Sequence, residues 1–260
     1  MKSGTLLAAA VRGGFRLLSP HALVLGRVLR VWRALGAQYR SLEATRYGDW
    51  LLGNVWPAYL FAMPLGARVW ALARAPRDDS LHSQAKLLQE VVTVIFLGLV
   101  VVLFAIRRQT TKGQRATGRQ AGVALAGTFM LNVVAYLPIQ DSTSTASLLA
   151  SSAVVLVGTL FTIWSLTMLG RCFGLFPEVR GLVLRGPYRL VRHPVYLGEL
   201  VSALGLVLAK PHPLVAAVFA AFVALQYWRT VYEEQALALA YPSEYPAYAV
   251  RVPRLVPGLR

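Results

Sequence analysis

Apolar residues run in long blocks along this chain, separated by short basic or polar strips. Four blocks come first: Trp50–Ala73, Leu87–Ile106, Ala121–Ile139 and Leu148–Leu169. Each is close to the ~20 residues an α-helix needs to cross a hydrocarbon core. A shorter block, Val195–Ala209, is parted from a sixth, Leu214–Thr230, by Lys210-Pro211-His212-Pro213. That tetrapeptide is a turn signal, so the last two blocks predict a helical hairpin. The pattern as a whole predicts an all-α, polytopic integral membrane protein of about six transmembrane helices. Pro57, Pro64 and Pro138 interrupt or end blocks and predict kinks, tolerable where neighbouring helices satisfy the backbone.

The strips between blocks orient them. Residues 107–120 hold five bases and no acid, whereas residues 141–147 hold no base. The positive-inside rule then puts the N-terminus, the 107–120 loop, the 171–194 segment and the C-terminus in the cytoplasm. Residues 1–42 carry seven Lys or Arg, and the first acid is Glu43. Arg27, Arg30 and Arg33 stand at helical spacing among Leu25, Leu29 and Trp32. This predicts an amphipathic helix lying on the inner leaflet; an organellar transit peptide has a similar composition. Three divisions follow: a basic amphipathic segment 1–48, N-terminal transmembrane helices 49–164, and a C-terminal core 165–260.

Composition agrees with the block pattern. Apolar residues make up 56% of the chain and charged ones 15%, against roughly 25% charged in an average soluble domain. The net charge of +16 suits nucleic acid or an anionic lipid surface. Because the arginines border apolar blocks, and no aromatic-basic soluble module is visible, the surface expected is membrane lipid rather than nucleic acid. Cys172 is the sole cysteine, which excludes an intramolecular disulfide and a Cys-rich metal site. His21, His82 and His212 have no metal-ligand spacing. Neither a Gly-rich dinucleotide fingerprint nor a phosphate-binding P-loop is present.

Chemistry concentrates in two places. In Gly186-Pro187-Tyr188-Arg189-Leu190-Val191-Arg192-His193-Pro194-Val195-Tyr196-Leu197-Gly198, Pro194 suits a first helical position. Arg192 and His193 therefore sit just before a helix start, where free backbone N–H groups also favour an anion. Anchoring to lipid headgroups is the competing reading. In Tyr227-Trp228-Arg229-Thr230-Val231-Tyr232-Glu233-Glu234, Arg229 and Glu233 can form a surface pair four residues apart. Alternatively, Arg229 and Glu234 flank a polar pocket at the inner end of the helix. Glu199 is expected to pair with Arg192 or Arg189, or else to face a cavity. The tail 241–257 packs either as a lid or along the membrane surface.

The order of these pieces resembles the isoprenylcysteine carboxyl methyltransferase family and its bacterial relatives, with phospholipid N-methyltransferases more distantly similar. The shared pattern is Arg192, His193, Pro194, Tyr196, Gly198, Gly205, then Arg229, Glu233, Glu234, and the tail tyrosines Tyr245 and Tyr248. It covers roughly residues 165–257. Two departures are Tyr241-Pro242, where the family often has Phe-Gly, and residues 1–120, which lie outside the resemblance. The resemblance implies an S-adenosylmethionine site on the cytoplasmic side of a bacterial inner (plasma) membrane, closed by the C-terminal region. Tyr188, Arg192, His193, Pro194, Tyr196, Gly198 and Glu233 would bind the cofactor. Arg229 and Glu234 would be catalytic, at the acceptor end, with Glu234 the base if the acceptor needs one. The partners implied are a lipophilic or lipid-linked substrate and membrane lipids. O-methylation of a carboxylate or hydroxyl is the expected reaction. N- or S-methylation, or a non-catalytic ligand-binding protein of this fold, are the alternatives.

Overall fold

The computed structural model describes residues 45–74, 80–108, 110, 116–139 and 144–258. The amphipathic helix expected around Arg27–Arg33 lies outside them. Residues Trp50–Arg260 form one compact unit, and every regular element in its described part is helical. A π-helical turn at Leu51–Val55 leads into α1 (Trp56–Arg74), followed by α2 (Leu81–Ile106). Helix α3 (Gly118–Phe129) tightens into a 3-10 stretch at Met130–Tyr136, and α4 spans Thr145–Leu169. Then come α5 (Pro194–Ala209), α6 (Pro213–Ala240) and a short α7 (Glu244–Arg251).

Local chemistry sets these boundaries. Thr117 and Gln120 form a reciprocal capping box at the start of α3, and Ser80 caps α2 through Ser83 N at 3.2 Å. Pro194 and Pro213 occupy first positions of α5 and α6, where a missing N–H costs nothing. Gly170, with φ +52°, ends α4.

Three helices among the described residues are long and apolar enough to cross a bilayer: Ser83–Ile106, Ala146–Cys172 and Pro213–Ala240. The other three predicted blocks take different forms. The first opens as the π-turn before α1. The third leaves α-geometry at Met130, and Pro138, unable to donate to a preceding turn, follows its 3-10 end. The fifth, α5, has only 16 residues, about 24 Å at 1.5 Å per residue against a core of roughly 30 Å. These helices carry exposed apolar side chains, as an integral membrane protein would: Ile95 and Val102 on α2, Val157 and Leu160 on α4, and Val223 and Leu239 on α6. Ser151, Thr162, Ser165, Gln226, Arg229 and Thr230 are buried instead, as expected where polar groups must find partners inside the bundle.

Helices α4 and α5 approach most closely, along a row of small residues. A Cβ added at Gly198 would lie 2.8 Å from the Gly158 carbonyl oxygen, and one at Gly205 would lie 2.9 Å from that of Ser151. The Thr159 and Ser202 hydroxyls meet across this seam at 3.2 Å. Such contact between backbones is how apolar helices gain dispersion energy in lipid, where there is little hydrophobic drive to associate. On the other side, Phe61 stacks on Phe104 (5.6 Å) and Phe104 meets Phe173 edge-on (4.9 Å). The buried Arg107 is hydrogen-bonded to Asn54 at 2.9 Å, tying the end of α2 to the π-turn.

One end of the bundle gathers the basic segments. Arg108 N donates to Arg171 O at 2.8 Å, and Arg171 Nε to Ile106 O at 3.0 Å. This joins the strip after α2 to the segment that leads from α4 to Arg192.

Candidate active site

The site begins with a tight turn. Gly186 adopts φ +61°, which a side chain would strain, and a Cβ there would also meet Met168 Cγ at 2.8 Å. Pro187 follows inside the 3-10 turn Gly186–Arg189. The turn buries Tyr188 and delivers Arg192 and His193 to the N-terminus of α5.

The C-terminal tail is fastened to this motif through main chain. Arg192 N donates to Pro253 O at 2.8 Å and His193 N to Arg254 O at 3.1 Å. The Tyr248 hydroxyl donates to Tyr188 O at 2.6 Å. Of the two sequence readings, the tail therefore packs on the motif as a lid does. Burial first, helped by the Glu233 carboxylate, pushes the Tyr188 phenol well above its usual range. Burial likewise pushes Tyr248 up to about 12. Both are neutral at physiological pH.

His193 stands between two carboxylates. Its Nδ1 is 3.5 Å from Glu233 Oε2 and its Nε2 is 3.1 Å from Glu234 Oε1. Neighbouring positions on a helix point about 100° apart, so Glu233 and Glu234 flank one ring. Burial opposes a charge on this imidazole, but the two carboxylates outweigh it and raise the pKa above the ordinary value. Each ring nitrogen thus faces a carboxylate oxygen, and the Nε2–Glu234 contact is of hydrogen-bond length.

Glu234 sits in a cluster of cations. It receives Arg254 Nε at 3.0 Å and Nη2 at 2.6 Å, and lies 3.3 Å from Arg192 Nη1. Arg254 in turn lies over the Tyr227 ring, and its pKa rises, chiefly through the Glu234 hydrogen bond. Glu233 accepts from the Tyr196 hydroxyl. Tyr196 stacks on His193 with centroids 5.8 Å apart, and Arg229 lies over the Tyr196 ring at 4.6 Å. A surface Arg229–Glu233 pair is thus not what forms: Arg229 is buried, its Nη1 donating to Gln226 Oε1 at 3.0 Å. Nor does Glu199 pair with Arg192 or Arg189. It accepts from Gln226 and lies 4.0 Å from Arg229.

These groups wall one end of a cavity of about 220 Å³. Tyr188, Arg192, His193, Tyr196, Arg229 and Glu233 all line it. Phe61, Phe96, Val100, Leu166, Phe173 and Phe176 supply its apolar wall. Pro194, Gly198 and Glu234 are not on its walls. Pro194 opens α5, Gly198 faces Thr162 and Gly158 on α4, and Glu234 stands behind the imidazole in its ion cluster. The sequence reading also missed several residues. Gln226 carried a signal, being polar in an apolar block three residues before Arg229. Arg254 and the Glu178–Arg180 pair (2.6 Å) on the cavity wall had no pattern that would mark them.

Residues 146–244 match the sequence model of the phospholipid methyltransferase family. This segment belongs to that family. The matched segment takes in α4 to α6 and the polar site residues other than those of the tail, whereas the cavity walls Phe61, Phe96 and Val100 lie outside it. Over 79 residues the chain is 42% identical to the cobalt-zinc-cadmium resistance protein CzcN of Cupriavidus metallidurans, covering 30% of this chain and 36% of that protein. Over 114 residues it is 31% identical to protein-S-isoprenylcysteine O-methyltransferase B of Arabidopsis thaliana, covering 40% of this chain and 56% of that one. The chain thus spans between about a third and a little over half the length of these relatives.

Proposed function

We propose that this protein is an integral membrane methyltransferase that moves a methyl group from S-adenosylmethionine to the carboxylate of a lipophilic acceptor. One observation carries the reading: a single cavity joins an apolar wall to a polar end that holds unused hydrogen-bond donors. Arg192 Nε, Arg229 Nε and the Tyr245 hydroxyl are buried without a hydrogen-bond partner among the described residues, and all three residues line the cavity. Buried donors without partners are costly, so a ligand with acceptor oxygens fits them. The chemistry of these residues suits S-adenosylmethionine, which when bound supplies an electrophilic methyl on a positive sulfonium.

Arg192 and Tyr245 would hold the cofactor carboxylate by charge-assisted hydrogen bonds. Glu234 orients Arg192, and His193 keeps the wall rigid between its two carboxylates. The faces of Tyr188 and Tyr196 suit an adenine or a cation. Arg229 would bind the acceptor oxygen, with the phenylalanine walls taking its apolar tail. Glu234 is engaged by three cations and set back from the wall, which supports an acceptor that needs no deprotonation. The chain's work is then positioning and exclusion of water.

The same reading places the site at the cytoplasmic face. Arg107, Arg108, Arg171 and Arg192 lie at one end of the bundle, as the positive-inside rule requires. We read α1, α3 and α5 as completing the six membrane segments expected from the sequence, α5 by tilting or crossing only partly.

The test is methyl transfer by purified protein in phosphatidylcholine nanodiscs, from methyl-labelled S-adenosylmethionine to a lipid extract, with mass spectrometry of the product. An alkali-labile label released as methanol is the expected result, because methyl esters hydrolyse and methylamines do not. An alkali-stable label would replace the ester with N- or S-methylation. Folded protein that binds neither S-adenosylmethionine nor S-adenosylhomocysteine would leave a non-catalytic membrane protein. Arg192→Ala is expected to weaken cofactor binding while the protein stays folded.

A further inference from the structure

A polar relay inside the bundle is not accounted for by cofactor binding. Gln226 on α6 is fully buried. Its amide nitrogen donates to Glu199 Oε2 on α5, and its Oε1 accepts from Arg229 Nη1 at 3.0 Å. A carboxylate only accepts, so Glu199 fixes which end of the amide faces it and turns the carbonyl toward the guanidinium. The reverse orientation would set NH2 against an arginine N–H, donor against donor.

The other sides of Arg229 are also defined. Tyr196 lies under the guanidinium at 4.6 Å. From α3, a Cβ added at Gly127 would lie 2.9 Å from Arg229 Cδ and 3.1 Å from Gln226 Oε1, so only glycine lets α3 close over the pair without displacement. What remains is the Nε edge, which is buried, has no partner among the described residues, and belongs to a residue of the cavity wall. Glu199 lines the same cavity.

We propose that Glu199 and Gln226 are positioning residues: the carboxylate sets the amide, and the amide aims the free edge of Arg229 at the polar group of the acceptor. This rests on the reading of Arg229 as the acceptor-binding residue. Glu199 touches neither cofactor nor reacting atoms in this scheme. Its own contact with Arg229 Nη1 is 4.0 Å, beyond hydrogen-bond length, so it acts chiefly through Gln226, and the pair tunes acceptor affinity rather than cofactor affinity.

The experiment measures binding of radiolabelled hexadecanoate to protein in phosphatidylcholine nanodiscs saturated with S-adenosylhomocysteine, alongside the affinity for S-adenosylhomocysteine itself. Gln226→Leu is expected to weaken hexadecanoate about tenfold or more, as loss of a buried hydrogen bond to a charged group would, and to leave S-adenosylhomocysteine within about twofold. Glu199→Leu should weaken hexadecanoate too, and Glu199→Gln, which keeps an oxygen for the amide, should restore most of that loss. The double variant Glu199→Leu/Gln226→Leu should bind no more weakly than Gln226→Leu alone. Losses that multiply in the double variant, or S-adenosylhomocysteine affinity that falls in parallel, would overturn the proposal. Wild-type protein that holds S-adenosylhomocysteine but not hexadecanoate would refute the carboxylate acceptor. The same variants are then read with hexadecanol and hexadecylamine: the relay stands if either reproduces the pattern and falls if neither does.

Discussion

Replacing Glu234 by glutamine separates two roles for this carboxylate, base or anchor. Glutamine keeps the size and one acceptor oxygen but removes the charge and turns the other oxygen into a donor. Four contacts within 3.3 Å feel the change: Arg254 Nε and Nη2, His193 Nε2 and Arg192 Nη1. Arg254 keeps 30% of its side-chain surface exposed, so its share is that of a screened pair, roughly 0.2–1 kcal/mol. His193 is only 4% exposed, and losing a charge-assisted bond there costs about 1.5–3 kcal/mol. The sum for Arg254 and His193 alone, about 2–4 kcal/mol, falls on the groups that hold Arg192 and the imidazole in place. At about 1.4 kcal/mol per tenfold, even half of it reaching the ligand weakens S-adenosylhomocysteine by roughly 5- to 30-fold. The assay is equilibrium binding of S-adenosylhomocysteine to wild-type and Glu234→Gln protein in nanodiscs, with turnover measured at saturating cofactor. An unchanged affinity with turnover down by orders of magnitude would refute the anchor and restore the base.

Other consequences are as direct. His193 has a raised pKa in the folded protein, so its stabilising charge is fully present below its unfolded value of about 6.5 and is lost as pH rises through the higher folded value. The thermal midpoint should therefore fall as pH is raised above neutrality, and His193→Gln should flatten that slope. Gly198→Ala forces a methyl to within 2.2 Å of Thr162 Oγ1 and 2.8 Å of a backbone oxygen. It should lower stability by about 1–3 kcal/mol, read as a lower midpoint in thermal unfolding. Tyr248→Phe removes the 2.6 Å bond to Tyr188 O and leaves that carbonyl short of a partner. Faster hydrogen exchange across residues 244–254 is expected, with a cost of about 1–2 kcal/mol.

The parts legible in the sequence were those that need only local rules. Arg192, His193 and Tyr196 fall within one turn of a proline-started helix, so their convergence follows from spacing. Glu233 and Glu234 are adjacent, and adjacency on a helix suffices to bracket one imidazole. Partners across helices were not legible. Whether Glu199 meets Arg192 or Gln226 depends on how α5 is rotated in the bundle, and that rotation is set by Gly198 and Gly205 of α5 packing against Gly158 and Ser151 of α4. Arg254 was missed because nothing in an extended tail indicates where it doubles back. Hydropathy blocks do not register a short helix or a change of helix type, which is why three of the six blocks do not appear as long apolar helices among the described residues. Met130–Tyr136 is as apolar as its surroundings yet leaves α-geometry.

The fastening of the tail is one-sided. Residues 192 and 193 supply the hydrogens, and residues 253 and 254 supply only oxygens. A proline at 253 therefore loses nothing in the pairing, whereas a proline at 192 or 193 would remove one of its two bonds. As far as this main-chain pairing goes, positions 253 and 254 accept substitution more freely than positions 192 and 193.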